Sequence, residues 1–419
     1  MRRLRAVEAA ARNLDKDIVK IARGSLNFST SQLPSTSRLM KINIIGAGIG
    51  GLTAAIALEK KGHQVELYDA AAALHPIGAG IIMASNAIQI ARRLGFAEEI
   101  IQAGTVLDHF GVADHLGRPL QMMDIQAIRA KFGETSVAIH RGQLQQILLQ
   151  HLPDTPIHVN KRLNSVQQLL GGKVIAFFED GSQAESDVLI GADGLRSATR
   201  KAIFGEKPLR YSSHTCWRGI IQDQFKDPNQ AQELWAKTGG KRVAMIQVAL
   251  NKVYFYYTEK RKPGFDLPQA ELLSYLKEQF HEFPPMYAEV IAKANPSEIF
   301  HDDLYDLKPL SKWHHDRVLL LGDAAHATTP NLGQGGCQAI EDAWYLAEFL
   351  ERYDNLAEAF AAYEQFRRPK VNFVVNTSFM IGKMSNLGGV LGHRLRNWVL
   401  SATPKKMAEQ QLETLFRLS

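Results

Sequence analysis

Short apolar runs alternate with helical patterns in the first part of the chain. Residues 41–45 (Lys-Ile-Asn-Ile-Ile) predict a buried strand because β-branched residues dominate them, and the apolar residues 52–58 predict the helix that follows. Residues 64–68 predict a second strand. Strand, helix and strand in this order indicate an α/β unit.

The pattern changes in the middle of the chain, where the predicted strands are longer. Residues 215–221, 242–248 and 252–258 predict three strands, and the tripeptide 249–251 between the last two predicts a hairpin-like connection. We therefore predict an antiparallel sheet that forms a second domain. The other predicted elements are helices at 84–94, 143–152, 269–280, 286–294 and 338–350, a strand pair within 108–122, several short strands within 157–190, and a strand at 317–321.

Three glycines connect the first predicted strand to its helix. Gly46 permits a tight turn, Gly48 lets a pyrophosphate approach the backbone, and Gly51 lets the helix pack closely on the strand. The N-terminus of that helix offers amide donors to the anion. Asp69 ends the second strand about 20 residues later, where a carboxylate accepts hydrogen bonds from an adenosine ribose. This spacing predicts a dinucleotide site.

A second glycine-marked segment follows the strand predicted at 317–321. That strand ends at Gly322-Asp323, and residues 330–336 (Pro-Asn-Leu-Gly-Gln-Gly-Gly) predict a loop with few side chains before the helix at 338–350. Asp323 is placed to bind the ribityl hydroxyls of a flavin. The helix N-terminus, with about half a positive charge, favours negative charge on a reduced isoalloxazine. The two segments together predict one FAD.

Three motifs in order resemble those of the single-component flavoprotein aromatic hydroxylases. They are Gly46 to Gly51, the run 192–197 (Ala-Asp-Gly-Leu-Arg-Ser), and Gly322 to His326 with its Pro-x-x-Gly-x-Gly sequel. In these motifs the chain is similar to the p-hydroxybenzoate, salicylate and urate hydroxylases and to zeaxanthin epoxidase. The resemblance spans roughly residues 40–368 and implies an FAD-dependent monooxygenase.

The resemblance implies cofactor-binding roles for individual residues. Arg141 is expected to lie along the flavin with Gln145 assisting it, and Asp193 with Gly194 to serve FAD and the docking of NAD(P)H. From the residues alone, Arg141 also suits a surface ion pair and Asp193 a helix cap. The residues expected to bind the cofactor are Gly46, Gly48, Gly51, Asp69, Arg141, Gln145, Asp193, Gly194, Asp323, Gly333, Gly335 and Gly336.

Four residues are expected on the substrate side of the flavin. Pro330 matches the family residue near the reactive C4a edge, and Arg218 lies in an aromatic-Arg-Gly stretch found in several relatives. Arg242 and Tyr254, on the two arms of the hairpin, resemble the pair that urate hydroxylases direct at their substrate. An arginine can hold an acidic or carbonyl-rich ring, and a tyrosine can donate to it or stack on it. Alternating charged and aromatic residues on a half-buried sheet are the competing explanation.

The resemblance also implies the reaction. NADH or NADPH reduces FAD, O2 adds at C4a, and the C4a-hydroperoxyflavin hydroxylates a small electron-rich aromatic or heteroaromatic ring. Three alternatives stay open: a flavin epoxidase, a tetracycline-type inactivating monooxygenase, and a non-enzymatic flavin-binding redox sensor. No second GxGxxG follows a later strand, which disfavours the disulfide reductases that have two dinucleotide domains.

We therefore predict an α/β fold (α+β overall), in which a Rossmann-like FAD-binding domain is interrupted by an antiparallel substrate-binding sheet and followed by C-terminal helices. The predicted boundaries are an N-terminal extension outside the fold at 1–39, the FAD-binding domain at 40–110, 140–206 and 300–352, the substrate-binding domain at 111–139 and 207–299, and C-terminal helices at 353–419.

Composition limits the other possibilities. The net charge is +6, but residues 1–39 hold eight Lys/Arg against three Asp/Glu, so the rest of the chain is nearly balanced and predicts no nucleic-acid partner. For this basic segment we favour an extension ahead of a functional start at Met40 over a targeting or partner-binding segment. Two widely separated cysteines predict neither a disulfide framework nor a metal site and suit a cytoplasmic location. No membrane span is predicted, and monomer and homodimer both stay open.

Overall fold

The computed structural model describes residues 39–74 and 78–418. Its strands are β1 Lys41–Ile45, β2 Gln64–Tyr68, β3 Gly80–Met83, β4 Thr105–Leu107, β5 His109–Asp114, β6 Pro119–Asp124, β7 Ser136–His140, β8 Ile157–His158, β9 Leu163–Gln168, β10 Val174–Phe178, β11 Gln183–Ser186, β12 Val188–Gly191, β13 Leu209–Gln222, β14 Gln230–Trp235, β15 Arg242–Ala249, β16 Lys252–Lys260, β17 Phe300–Leu307, β18 His314–His315 and β19 Val318–Leu320. Its α-helices are α1 Ile49–Glu59, α2 Ser85–Leu94, α3 Ala97–Ala103, α4 Ile125–Phe132, α5 Arg141–Gln150, α6 Ala198–Phe204, α7 Gln269–Phe280, α8 Pro285–Ile291, α9 Asp323–His326, α10 Gly335–Arg352, α11 Leu356–Ser385, α12 Gly389–Ser401 and α13 Lys405–Phe416. Short 3-10 turns lie at Pro296–Glu298 and Pro330–Leu332.

The first sheet has six strands in the order β18-β19-β12-β1-β2-β8. Strand β1 is central and runs parallel to both neighbours, with Ile44 opposite Leu67 on β2 and Ile190 on β12. Helices α1 and α10 pack together beside it, and their apolar side chains join one large core. This arrangement confirms the Rossmann-like α/β domain, and it brings the carboxyl ends of β1, β2 and β19 to one edge.

The second sheet has seven strands in the order β17-β13-β16-β15-β14-β5-β6. Its pairs are antiparallel except for β14 and β5, which are parallel. Side chains alternate between its faces, as the two-residue period of a strand requires. Ala244 and Ile246 face the core of the first domain, whereas Trp217, Phe255 and Leu276 share a second core with α7 and α8. The sheet therefore presents one face to the Rossmann-like domain.

Two smaller sheets complete the body of the protein. One has the order β3-β7-β4 and contacts β15, so that it lies between the Rossmann-like domain and the large sheet. The other has the order β11-β10-β9 and forms its own core with Tyr68, Phe178 and Leu189. The predicted boundary 111–139 assigned residues 136–139 to the substrate-binding sheet. These residues lie in β7, which pairs with β3 in the smaller sheet, so they do not belong to the large sheet.

Other boundaries also differ from the prediction. Residues 300–307 form β17 and pair with β13, so they belong to the large sheet and not to the FAD-binding domain. β17 has the sequence Phe-His-Asp-Asp-Leu-Tyr-Asp-Leu, and such charge is typical of an edge strand, which must avoid pairing with other chains. Strand β5 begins at His109, just before the predicted boundary, and strand β14 was not predicted at all.

The C-terminal helices pack on the body as predicted. Helix α11 contacts α10 and β13, and α13 contacts α2 and α11. In the described part of the chain, no helix is both long and apolar enough to cross a membrane. Cys216 and Cys337 are buried free thiols. The predicted N-terminal extension lies, apart from residue 39, outside the described residues.

Candidate flavin and substrate site

The loop between β1 and α1 requires glycine at two positions and leaves open space at a third. Gly46 has φ +106°, and a Cβ there would overlap the carbonyl of Ala192. A Cβ on Gly51 would overlap the carbonyl of Gly46. A Cβ on Gly48 would meet no protein atom within 4 Å. Gly46 and Gly51 therefore build the turn, while Gly48 borders a space that suits a pyrophosphate.

Asp69 and Gln145 both hold this glycine loop. The Asp69 carboxylate accepts hydrogen bonds from Ala47 N at 2.7 Å and from Ala71 N at 2.8 Å. Gln145 Nε2 donates to the Ala47 carbonyl at 3.2 Å. A carboxylate has acceptor capacity beyond these two bonds, so Asp69 can also receive ribose hydroxyls. Gln145 thus lies at the glycine loop, and its contact there is distinct from the predicted assistance to Arg141.

Arg141 and Asp323 line a deep cleft. Both side chains are reached by solvent, yet protein atoms surround them. Burial lowers the pKa of Arg141, helped by the charge of Arg218, and burial raises the pKa of Asp323. Among the described residues, Asp323 makes no hydrogen bond through its carboxylate. A desolvated acid without a partner fits the role of accepting the ribityl hydroxyls of FAD.

The start of α10 faces the same cleft. A Cβ on Gly335, its first residue, would lie 3.9 Å from Asp323 Oδ1 and 3.5 Å from a methyl group of Thr328. A Cβ on Gly336 would lie 2.9 Å from Ile81 on β3, so this glycine allows β3 to pack on the loop. Gly333 has φ +61°, which favours glycine, and open space beside it. The amide end of α10 and Asp323 therefore meet where an isoalloxazine fits.

The Asp193 carboxylate makes its contacts within its own loop and at the start of α6. It accepts hydrogen bonds from Ser197 Oγ at 2.5 Å, Thr199 N at 2.9 Å and Thr199 Oγ1 at 3.0 Å. Ser197 is itself the N-cap of α6. These contacts support the helix-cap interpretation of Asp193. Gly194 follows with φ +77° and open space at its Cβ position. The same loop borders the glycine turn, because the carbonyl of Ala192 lies against Gly46.

Arg218, Arg242 and Tyr254 lie on one face of the large sheet. Their register places Arg218 opposite Tyr256, and Tyr254 opposite Ile246, on the face directed at the Rossmann-like domain. A Cβ on Gly80 would overlap the Tyr254 ring, so this tyrosine touches β3 directly. The structure thus brings Arg218, Arg242 and Tyr254 to the same side of the flavin cleft. Tyr254 contacts β3, the strand that also packs on Gly336 at the start of α10.

Arg242 is buried and already has three partners. Its Nε donates to Thr258 Oγ1 at 3.1 Å, and its Nη1 donates to Asn331 Oδ1 at 2.7 Å and to Glu233 Oε1 at 3.4 Å. Asn331 follows Pro330, which is exposed at the start of its 3-10 turn. Arg242 therefore connects the large sheet to the loop beside the cleft. Arg218, by contrast, pairs with Asp302 at 2.6 Å.

The structure adds two residues whose roles the sequence did not point to. Glu233 on β14 accepts hydrogen bonds from Arg242, from Trp235 Nε1 and from Tyr256 Oη, the last at 2.6 Å. Asn331 Oδ1 accepts a hydrogen bond from Arg242, and Asn331 Nδ2 donates to the carbonyl of Ser378 on α11 at 2.7 Å. A single glutamate or asparagine gives no local pattern, so only the pairing of β14 with β15 places Glu233 beside Arg242.

A buried charge network supports the cleft from behind. His326 lies 2.5 Å from Asp342 on α10, and Arg367 on α11 donates to Asp342 at 2.8 Å. The next residue, Glu341, pairs with Arg367 and with Lys370. Because Asp342 also accepts from Gly322 N at 3.1 Å, this network fixes the turn that carries Asp323. His326 is thus a packed, hydrogen-bonded residue, as its motif position suggests.

Comparison with known proteins identifies the family. A family model described as an FAD binding domain matches residues 40–378. The aurachin C monooxygenase/isomerase of Stigmatella aurantiaca is 32% identical over 380 residues, which cover 90% of this chain and 97% of that protein. The chain belongs to the class A flavoprotein monooxygenase family. It is an FAD-dependent monooxygenase.

Two further comparisons place the protein within that family. The 2-heptyl-3-hydroxy-4(1H)-quinolone synthase of Pseudomonas aeruginosa strain UCBPP-PA14 is 32% identical over 388 residues, covering 90% of this chain and 98% of that enzyme. The crystal structure of Klebsiella pneumoniae HpxO with FAD and uric acid aligns with a TM-score of 0.82 at 27% identity, covering 90% and 96% of the two chains. Similar architectures therefore handle different rings.

In the described residues, no group of three or more His, Cys, Asp or Glu side chains is arranged to hold a metal ion. The cleft instead combines open space at Gly48, the unpartnered Asp323 and the start of α10. These features suit a dinucleotide with a hydroxyl chain and an extended ring, and they agree with the FAD assignment.

Proposed function

We propose that the protein uses NADH or NADPH, FAD and O2 to hydroxylate a small, electron-rich heteroaromatic ring. The observation that carries this proposal is the convergence of two surfaces: Asp323 with the start of α10 on one side, and the sheet face with Arg242 and Tyr254 on the other. The heterocycles of the relatives, uric acid bound in the HpxO structure and a 4(1H)-quinolone made by the Pseudomonas enzyme, support a ring of this class.

Bound FAD, once reduced by the nicotinamide, supplies the activation of O2 and the transfer of one oxygen atom to the ring. The chain's own residues hold and orient the reactants. Asp323 would accept ribityl hydroxyls and so would hold the flavin beside α10, whose N-terminal amides would favour negative charge on the ring system. Tyr254 and the Arg242 cluster bound the space on the opposite side.

Excluding water from this space is the second task of the chain. Tyr254 lies against Gly80, and Ile81 lies against the position of Gly336, so apolar and aromatic atoms cover the gap between β3 and the loop. A dry, closed space strengthens the electrostatic interactions within it and protects a reactive oxygen species from wasteful breakdown. The nicotinamide has no dinucleotide domain of its own, so it is expected to reach the flavin from the open side of the cleft.

The test is an assay of the FAD-loaded protein with NADH or NADPH and a panel of hydroxypyridines, quinolones, purines and phenols. A substrate is expected to accelerate NAD(P)H and O2 consumption and to gain one oxygen atom from isotopically labelled O2, seen by mass spectrometry. If no ring accelerates flavin reduction or gains oxygen, the protein is better explained as a flavin-binding redox sensor.

Arg242→Gln provides the matching variant. Loss of its hydrogen bonds to Asn331 and Glu233 is expected to raise the KM for the ring while FAD content stays unchanged. Arg261→Gln is the control, because Arg261 pairs with Glu259 away from the cluster. An unchanged KM in Arg242→Gln would show that this residue supports only the fold of the sheet.

A further inference from the structure

Glu233 has acceptor capacity left after its internal hydrogen bonds are counted. Its Oε1 accepts from Arg242 Nη1 and from Trp235 Nε1, whereas its Oε2 accepts only from Tyr256 Oη among the described residues. Each carboxylate oxygen can accept two hydrogen bonds. Oε2 can therefore accept one more donor, and three protein donors hold the carboxylate in a fixed orientation.

The Glu233 side chain is also more exposed to solvent than the side chain of its ion-pair partner Arg242. Its side chain is 11% exposed, whereas the Arg242 side chain is 2% exposed. Both lie on the sheet face directed at the flavin cleft, and Tyr254 and Tyr256 lie beside them with ring centroids 5.8 Å apart. The carboxylate therefore belongs to the less covered side chain of the pair, and Arg242 donates to it and so positions it.

The two arginines on this sheet face each have an acidic partner. Arg242 is paired with Glu233, and Arg218 is paired with Asp302. Burial, and then the nearby charge of Arg242, lowers the pKa of His214 to about 3, so this histidine is neutral at physiological pH. A ring that carries a carboxylate would bring an anion next to Glu233 without gaining an unpaired cation among these groups. Burying such a charge is costly.

We propose that Glu233 is the substrate-facing acceptor of this site and that, balanced by Arg242, it selects an uncharged heteroaromatic ring with an N–H or O–H donor over a ring that carries a carboxylate. This inference rests on the proposed function, because it names the class of ring that the same site takes. It assigns to Arg242 the positioning of Glu233 and not the direct capture of an acidic substrate.

Binding measurements on the intact FAD-loaded protein test this inference without turnover. Isothermal titration calorimetry would compare 4(1H)-quinolone and 2-pyridone with their N-methyl counterparts, and 4(1H)-quinolone with 4-hydroxyquinoline-2-carboxylate. We expect the wild type to bind the N–H rings about tenfold more tightly than the N-methyl rings, as suits a hydrogen bond to a charged acceptor. The carboxylate is expected to bind about tenfold or more weakly than the neutral ring.

Two single variants and their combination separate hydrogen bonding from charge. Glu233→Gln leaves Arg242 unbalanced, so it should reduce the N–H preference to about threefold or less and tighten binding of the carboxylate. Arg242→Gln leaves Glu233 unbalanced, so it should weaken carboxylate binding further. The double variant restores neutrality and should return carboxylate binding toward the wild-type value. These opposite signs keep the test decisive even if one single variant fails to fold.

Glu259→Gln is the matched control, since Glu259 is a buried glutamate on β16 of the same sheet that pairs with Arg261 and accepts a hydrogen bond from Tyr257 instead. It should leave all ratios unchanged. The inference is overturned if neither N–H ring binds the wild type more tightly than its N-methyl counterpart, or if Glu233→Gln keeps the wild-type ratios. Absence of turnover with a Glu233-dependent preference would instead refute only the proposed function.

Discussion

Replacing Asp323 with alanine is the sharpest test of the cofactor site. The Asp323 carboxylate lines the deep cleft, has no hydrogen-bond partner among the described residues, and lies beside the first residue of α10. A hydrogen bond that involves a charged group contributes about 1.5–3 kcal/mol. Loss of one such bond to a ribityl hydroxyl should raise the Kd for FAD by about 10-fold to 150-fold.

The measurement is a titration of apo-protein with FAD, followed by flavin fluorescence, together with the flavin content after gel filtration. Asp180→Ala is a suitable control, because Asp180 is an exposed turn residue that pairs with Lys161. Stoichiometric FAD and an unchanged Kd in Asp323→Ala would refute the reasoning, since they would show that the ribityl ligand lies elsewhere.

The stability of the apo-protein gives an independent check with a defined sign. Burial raises the pKa of Asp323 in the folded protein. The contribution of this group to stability is therefore full below its ordinary pKa and is lost as the pH rises through the raised value. Apo Asp323→Ala should gain stability relative to the wild type as the pH rises from about 4, near the ordinary pKa of an aspartate, into the neutral range. Parallel unfolding curves over that range would contradict the desolvated state of the acid.

Four other substitutions separate cofactor binding from folding. Gly48→Ala should fold but weaken FAD binding by about 1–3 kcal/mol, because its Cβ enters the open space beside the loop. Gly51→Ala should fail to give folded protein, because its Cβ overlaps the Gly46 carbonyl. Thermal melting and flavin content distinguish the two variants. Asp193→Ala should lower the free energy of unfolding by about 1 kcal/mol with an unchanged Kd for FAD, and a large loss of FAD affinity would restore its predicted cofactor role. Asp342→Ala should cost about 3–5 kcal/mol in urea unfolding because the buried Arg367 loses one of its two acidic partners and His326 loses its own, and a smaller loss would show that Glu341 alone balances Arg367.

The elements nearest the glycine loop could be predicted from sequence because their signals are local. The predicted strand 64–68 has the bounds of β2, and the predicted helix 269–280 has those of α7. A strand that feeds a glycine turn and a helix that follows it are fixed by neighbouring residues, so a window of ten or so residues holds the information. The cofactor residues Gly46, Gly51 and Asp69 were found for the same reason.

The large sheet was harder to predict because its pairing is not local. Strand β14 (Gln-Ala-Gln-Glu-Leu-Trp) has little apolar character, and it pairs in parallel with β5, which lies more than a hundred residues earlier. Strand β17 is a charged edge strand whose place depends on β13. Asp193 was ambiguous because cofactor binding and helix capping require the same residue type. Only the contacts with Ser197 and Thr199 distinguish the two roles.

Asn331 connects the three parts of the protein on which the proposed reaction depends. Its Oδ1 accepts from Arg242 on the large sheet, and its Nδ2 donates to Thr329 within the loop and to Ser378 on α11. An amide has one acceptor and one donor group, so both ends of this side chain are engaged in a single orientation. Movement of Arg242 therefore has to be transmitted to the loop that precedes α10. The residues that we propose to select the ring and the loop before α10 are in this way one hydrogen-bonded unit, although Arg242 and Asn331 are 89 residues apart in the chain.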